Sequence, residues 1–431
     1  MGFAPANAAL IPPARACEVA RRRRHHYRRL TVAGETRCRP QGMTPGRDSS
    51  LAPRSNIDSG GYLPTLDGWR AVAILLVVTD HAFNSYVCGI GSTRWCNAME
   101  VGQTGVNLFF GISGYLITSR LLRERDLTGT ISRSAFYVRR AFRILPAVLT
   151  YLAAITLLAV SGHLLLTTRE LYGSLFFYRN YLGPQAAAYT NHFWSLSVEE
   201  HFYILWPSLL IGLIAWAPRR AAFVTFVLAL AIVEWRQLAF VYSVAITGAL
   251  STNFNMRTDV RLDGLFLGAS AALALWNSPA LRRFVGSVGA GWWWCLAASY
   301  AVVAAHFGQQ PTVWEGALVP AVLVWTVAHP SSAVGRLLEL PVLRWVGRVS
   351  YSLYVWQQLF FPPWDVAAPW PLLQRWPLAV PAALACATAS YYLVERPMVK
   401  LGHRVAAHVA RGHTPFEARR PATEGLPPEG A

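Results

Sequence analysis

The sequence predicts an all-α polytopic membrane protein of about ten transmembrane helices, with both termini cytoplasmic. Three observations predict it. Of the 431 residues, 54% are hydrophobic and only 14% charged, and mean hydropathy is +0.31, too apolar for an ordinary soluble enzyme. Apolar runs of about 20 residues, the length a helix needs to cross a bilayer, recur at roughly 68–88, 103–122, 142–161, 195–217, 220–240, 259–276, 289–306, 311–328, 346–362 and 374–394. The net charge of +17 is unevenly placed. Arginines crowd the N-terminal tail, the loop from Arg120 to Arg143, Arg219-Arg220, Arg282-Arg283, Arg336 to Arg348 and the tail from Arg396. With ten helices all of those segments share one side, and the positive-inside rule makes that side the cytoplasm. Topology therefore accounts for the pI of about 10.1, and nucleic acid is excluded as the expected partner.

The tails need separate treatment. Arg21 to Arg29 is a basic run set among Pro, Gly and Ser, without apolar periodicity. Residues 1–60 are expected to be a disordered basic tail. They lack the apolar core of a signal peptide, and Met43 is an alternative start. Residues 61–398 form the expected membrane domain, and 399–431 a disordered cytoplasmic tail with no further domain after it. Six cysteines show no metal spacing; Cys88 and Cys96 bracket the first expected external loop and are close enough for a disulfide on an oxidising side.

The first helix carries the strongest chemical signal. Gly68 to His81 is an apolar stretch holding Arg70, Asp80 and His81. Arg70 and His81 are eleven residues apart, so they share nearly one face and stand about 16 Å apart at 1.5 Å per residue. An ionisable group in a membrane helix is costly and faces the protein interior. A histidine there exchanges a proton near neutral pH, whereas an arginine nearer the surface holds a phosphate or carboxylate. Asp67, three residues before Arg70, can pair with it on one face. The competing reading makes Arg70 an interfacial anchor; His81, deeper in, has no such explanation.

Other segments add to this. Gly105, Gly111, Ser113 and Gly114 let neighbouring helices approach closely, and Asn107 with Ser113 are polar candidates for a cavity. Arg140 and Arg143 lie three apart and are placed to grip one phosphate-rich ligand, with Arg139 a weaker candidate. Phe193 to Tyr203 holds Ser195, Ser197, Glu199, Glu200, His201 and Tyr203. Ser197 and Glu200 have capping-box spacing, and Glu199 is the carboxylate favoured to orient or charge-stabilise an imidazole. Arg261-x-Asp263 places an ionic pair at a helix mouth. Gly347 to Trp356 and Glu395-Arg-Pro397 read singly as structural.

Together these segments resemble the integral-membrane O-acyltransferase family called acyltransferase-3, which includes bacterial acetylases of O-antigen and exopolysaccharide. The resemblance runs from about Tyr62 to Met398. It is carried by Arg70 to His81, Arg140 to Arg143, Ser195 to Tyr203, Arg261-x-Asp263-Gly-Leu, Ser350-Tyr-Ser-Leu-Tyr354 and Glu395-x-Pro, in that order. His201 stands where the family usually has Gln, and Gln357 where many members have His.

The resemblance implies transfer of an acyl group, acetyl by default, from acyl-CoA to a carbohydrate or glycosylated acceptor. It also implies a multi-pass bacterial cytoplasmic (inner) membrane location and no permanently bound cofactor, with acyl-CoA as co-substrate. His81, Glu199 and Asp80 are then the catalytic candidates. Arg70, Arg140, Arg143, Ser197, Glu200 and Tyr203 are the candidates for substrate and acyl-CoA binding. General-base and acyl-histidine routes through His81 both remain open. The alternative from another class is a transporter or flippase for a lipid-linked sugar with a buried proton relay, although no inverted repeat is evident.

Overall fold

The computed structural model describes residues 62–86, 101–182, 188–247, 254–296, 298–299, 312–363, 366 and 370–412. The basic tail, Cys88 and Cys96 lie outside them. The described elements are helices: α1 Pro64–Tyr86, α2 Gly102–Thr128, α3 Arg133–Val160, α4 Thr168–Leu175, α5 Phe193–Trp216, α6 Ala221–Thr247 and α7 Asp263–Asn277. Then come α8 Pro279–Ser287, α9 Thr312–Ala328, α10 Ala333–Leu338, α11 Pro341–Phe360, α12 Ala379–Ser390 and α13 Arg396–Gly412, with short 3-10 and π turns between some of them.

Among the described residues, three helices are long and apolar enough to cross a membrane: α3, α5 and Ala221–Tyr242 of α6. A fourth appears if α7 and α8, bent by 106°, count as one span. These helices point bare apolar side chains outward, such as Leu149 and Leu157 on α3, Ile204 and Leu205 on α5, and Phe223 and Leu238 on α6. An apolar exterior on that scale fits a membrane protein. The expected spans 289–306 and 311–328 lie partly outside the described residues; elsewhere the contrast with ten expected spans has a physical origin. Helices α1, α2 and α11 surround the polar site, so their apolar stretches are diluted by Asp67, Arg70, Asp80 and His81, by the charged run from Arg120 to Asp126, and by Arg344, Arg348, Gln357 and Gln358.

The core is a close bundle of α1, α2, α7 and α11. Small residues permit it. A side chain at Gly114 would strike the Leu265 carbonyl, and one at Gly268 would strike Gly111, so α2 and α7 touch backbone to backbone, as small residues allow in membrane helices. A Cβ at Gly347 would collide with the Asp67 carbonyl. That contact pins the start of α11 to the start of α1. Ten residues further on, Gln357 meets His81, so α1 and α11 run parallel. Helix α2 runs the other way, with Gly105 against Ala73 and Gly102 against Asp80.

Helix α13 extends past Met398 to Gly412, so the segment expected to be unstructured from 399 is helical at its start. Its Val399, Gly402, Val405 and Ala406 form one inward stripe, and Gly402 sits on Phe142 of α3. Residues 413–431 lie outside the described residues.

Candidate active site

Five helices contribute to one polar column that has an arginine end and a histidine end. At the arginine end, a cavity of about 570 Å³ is lined by Arg70, Ser113, Arg140, Arg143, Ser195, Glu199 and Tyr351, among others. Arg140 is heavily engaged: its Nη2 lies 3.7 Å from Glu199 and its Nε 4.0 Å from Glu200. Its guanidinium carbon also stacks 3.5 Å from the centre of the Tyr203 ring. Glu199 in turn accepts from Ser113 Oγ and from Tyr203 OH, both at 3.0 Å. Arg143 Nη1 is 3.2 Å from the buried carboxylate of Glu395, which also accepts from Ser352 Oγ at 2.9 Å. Arg139 is drawn off to Glu124 at 2.8 Å.

Arg70 differs from these. It lines the cavity, and among the described residues no carboxylate lies within ion-pair distance of it. Asp67 does not pair with it but accepts a hydrogen bond from Tyr62 OH; the residue is buried, with its backbone packed against Gly347 of α11. Arg70 is thus the guanidinium most available to a ligand.

At the histidine end, Asp80, His81, Gly102, Gln103, Asn191, His192 and Trp194 line a second cavity of about 470 Å³. A third, lined by Asp80, His81, Asn84, Asn191 and Gln358, lies beyond it. His81 Nδ1 is 2.8 Å from Gln357 Oε1. An amide oxygen can only accept, so Nδ1 carries the proton and Nε2 keeps its lone pair. The cavities at the two ends share Val106 and Tyr354 as walls.

Several expected groupings are rearranged. Glu199 does not orient His81; it belongs to the arginine end, about 10 Å along α5 from His192, and Gln357 takes the orienting position. Ser197 is not at a helix start. The helix begins at Phe193 with His192 as its cap, so Ser197 Oγ donates back to the Phe193 carbonyl at 2.9 Å and is fully buried. That hydroxyl is spent within its own helix. Glu200 and Tyr203 contact Arg140 and so shape the arginine end. Asp80 sits beside His81 in the histidine-end cavity, its carboxylate against Gly102. Asp263 pairs with Arg236 at 2.5 Å, while Arg261 donates to Asn107 at 2.8 Å and lies over the Trp194 ring.

Sequence reasoning missed His192 and Asn191, because no motif spacing flags a His just ahead of a helix start. His192 Nε2 is 3.1 Å from the Val355 carbonyl. That this buried ring lines the His81 cavity shows only when α5 and α11 are seen side by side.

No solved structure matches the chain. It is 30% identical over 320 residues to a Staphylococcus aureus (strain COL) protein named "Putative O-acetyltransferase", covering 68% of this chain and 50% of that one. It is 26% identical over 374 residues to the peptidoglycan O-acetyltransferase of Listeria monocytogenes, covering 79% and 56%. The chain thus spans about half the length of the curated relatives it matches. The acyltransferase domain family matches residues 63–395, well over half of the chain and inclusive of every helix that lines the two cavities. The chain belongs to the acyltransferase-3 family.

Proposed function

We propose that the protein transfers an acyl group, acetyl by default, from acyl-CoA to a hydroxyl of a carbohydrate or glycosylated acceptor. One observation carries the reading: the arginine cluster and His81 line neighbouring cavities with common walls at Val106 and Tyr354. Phosphates of acyl-CoA would be held chiefly by Arg70, while the pantetheine arm extends toward His81, a distance of about 16 Å along α1. His81 Nε2 takes the acceptor hydroxyl proton as that oxygen attacks the thioester carbonyl, and the CoA thiolate leaves and is reprotonated. The same lone pair would serve an acyl-histidine route. Gln357 holds the tautomer that either route requires.

We take the domain at 61–398 to be a ten-span unit of a bacterial cytoplasmic membrane, with its arginine end and both tails facing the cytoplasm, where acyl-CoA is found. The relatives named for peptidoglycan O-acetylation favour a cell-envelope glycan as acceptor.

The test is thiol release from acetyl-CoA by purified full-length protein, wild type beside His81→Ala. The variant is expected to keep less than a tenth of wild-type turnover. A variant above that level, folded and monodisperse, removes His81 from the chemistry. Sugar flux without any thioester turnover would instead establish a transporter.

A further inference from the structure

We propose that Asn191 and His192 form the acceptor subsite of the histidine-end cavity, accepting hydrogen bonds from two hydroxyls of a sugar whose reacting hydroxyl faces His81. The inference rests on the acyl-transfer reading and adds what the site recognises.

His192 is 2% exposed and lines the same cavity as Asp80 and His81. The Val355 carbonyl, 3.1 Å from Nε2, can only accept, so Nε2 carries the hydrogen. The neutral ring then presents Nδ1 as an acceptor. Among the described residues, that Nδ1 is buried and has no hydrogen-bond partner. Oδ1 of the adjoining Asn191 is likewise buried and without a partner among them, and Asn191 lines both cavities at this end. Both atoms call for a donor, since buried polar atoms are nearly always satisfied.

The chemistry of the missing partner follows from the inventory. Phosphate, carboxylate and thioester groups offer only acceptors, so none of them satisfies this pair. A polyol does, because each hydroxyl supplies one donor. The wall of the cavity adds Trp194 and Tyr354, flat apolar faces of the kind that pack against the C–H face of a pyranose. Asp80 supplies a further acceptor beside His81. The histidine end, whose cavity is lined by neither arginine nor lysine, thus contrasts with the cationic arginine end, and each suits a different substrate.

A vicinal arrangement is the natural fit. With the reacting hydroxyl at His81, its neighbours on the ring would fall to His192 and Asn191, which line the same cavity. These two residues would therefore decide which hydroxyl of the sugar is acylated.

The experiment uses full-length protein in detergent, acetyl-CoA as donor, and methyl glucoside with its 2-, 3- and 4-deoxy analogues as acceptors, read as kcat/KM for ester formation. Wild type is expected to use at least one deoxy sugar tenfold less well than the parent. In His192→Phe, which keeps the ring and removes the lone pair, that pair of sugars should be used within threefold of each other. His192→Asn, whose amide oxygen occupies the Nδ1 position, should restore the discrimination, and Asn191→Leu should erase it at a different hydroxyl. Discrimination that persists in both His192→Phe and Asn191→Leu overturns the subsite. So does a wild type that cleaves acetyl-CoA yet acylates none of these sugars. Failure of wild type to cleave acetyl-CoA at all sinks the acyl-transfer reading instead.

Discussion

At the scale of single residues, the site separates charges that hold from charges that are held. Arg140 is spent on Glu199, Glu200 and the Tyr203 ring, and Arg143 on Glu395, whereas Arg70 lines the cavity with no ion-pair partner among the described residues. Arg70→Ala is therefore expected to raise the KM for acetyl-CoA about tenfold, on the order of 1.4 kcal/mol of binding. Arg140→Ala is expected chiefly to lower expression and melting temperature, because it strands two carboxylates. Steady-state kinetics beside thermal melts in detergent separate the two; an unchanged donor KM in Arg70→Ala counts against its phosphate role. Gln357 makes a second residue-scale case. Gln357→Leu removes the acceptor that keeps the proton on His81 Nδ1, and a wrong tautomer is costly in sites of this logic. Turnover should fall at least tenfold. Gln357→His, which can offer a ring nitrogen as acceptor, should recover most of it, and equal activity in all three proteins would refute the orienting role.

At the scale of elements, geometry is set by backbone contacts rather than by large side chains. The α2–α7 seam closes at Gly114 and Gly268 because nothing larger fits. Gly268→Leu forces the helices apart and should cost about 3 kcal/mol, seen as a lower melting temperature and, since Ser113 and Phe110 of α2 line the arginine-end cavity, reduced turnover. An unchanged melting temperature would mean that the seam is looser than described. Helix α13 shows what residue spacing foretells and what it conceals. Its apolar positions recur with helical period, yet Arg396, Lys400, His403 and Arg404 make its composition read as a solvated tail. Only docking on Phe142 through Gly402 reveals its inward face. His403 lies near the same basic mouth: burial, then the guanidiniums of Arg139, Arg120 and Arg143, push its imidazole below the ordinary value.

At the scale of the whole molecule, the proposed acyl transfer requires that the two cavities communicate. Val106 and Tyr354 form the shared wall, so a bulky side chain there should uncouple donor capture from chemistry. Val106→Trp is expected to retain acetyl-CoA binding measured by equilibrium dialysis while thiol release falls more than tenfold. Full turnover in that variant would show that the thioester reaches His81 by another path.

The amino-acid sequence by itself determined the helical, apolar character of this protein, the family, and the two ends of the chemistry on α1, because hydropathy, charge placement and the eleven-residue interval between Arg70 and His81 are properties of order along the chain. It also located Arg140, Arg143 and the Glu199–Tyr203 block. Only the tertiary structure decided the partnerships. Whether Asp67 meets Arg70 or Tyr62, whether Glu199 or Gln357 orients His81, whether Asp263 pairs with Arg261 or Arg236, and that His192 stands in the His81 cavity all depend on which helix lies alongside which. Those neighbours are fixed by close backbone contacts at Gly114, Gly268 and Gly347, and local sequence spacing carries no record of them.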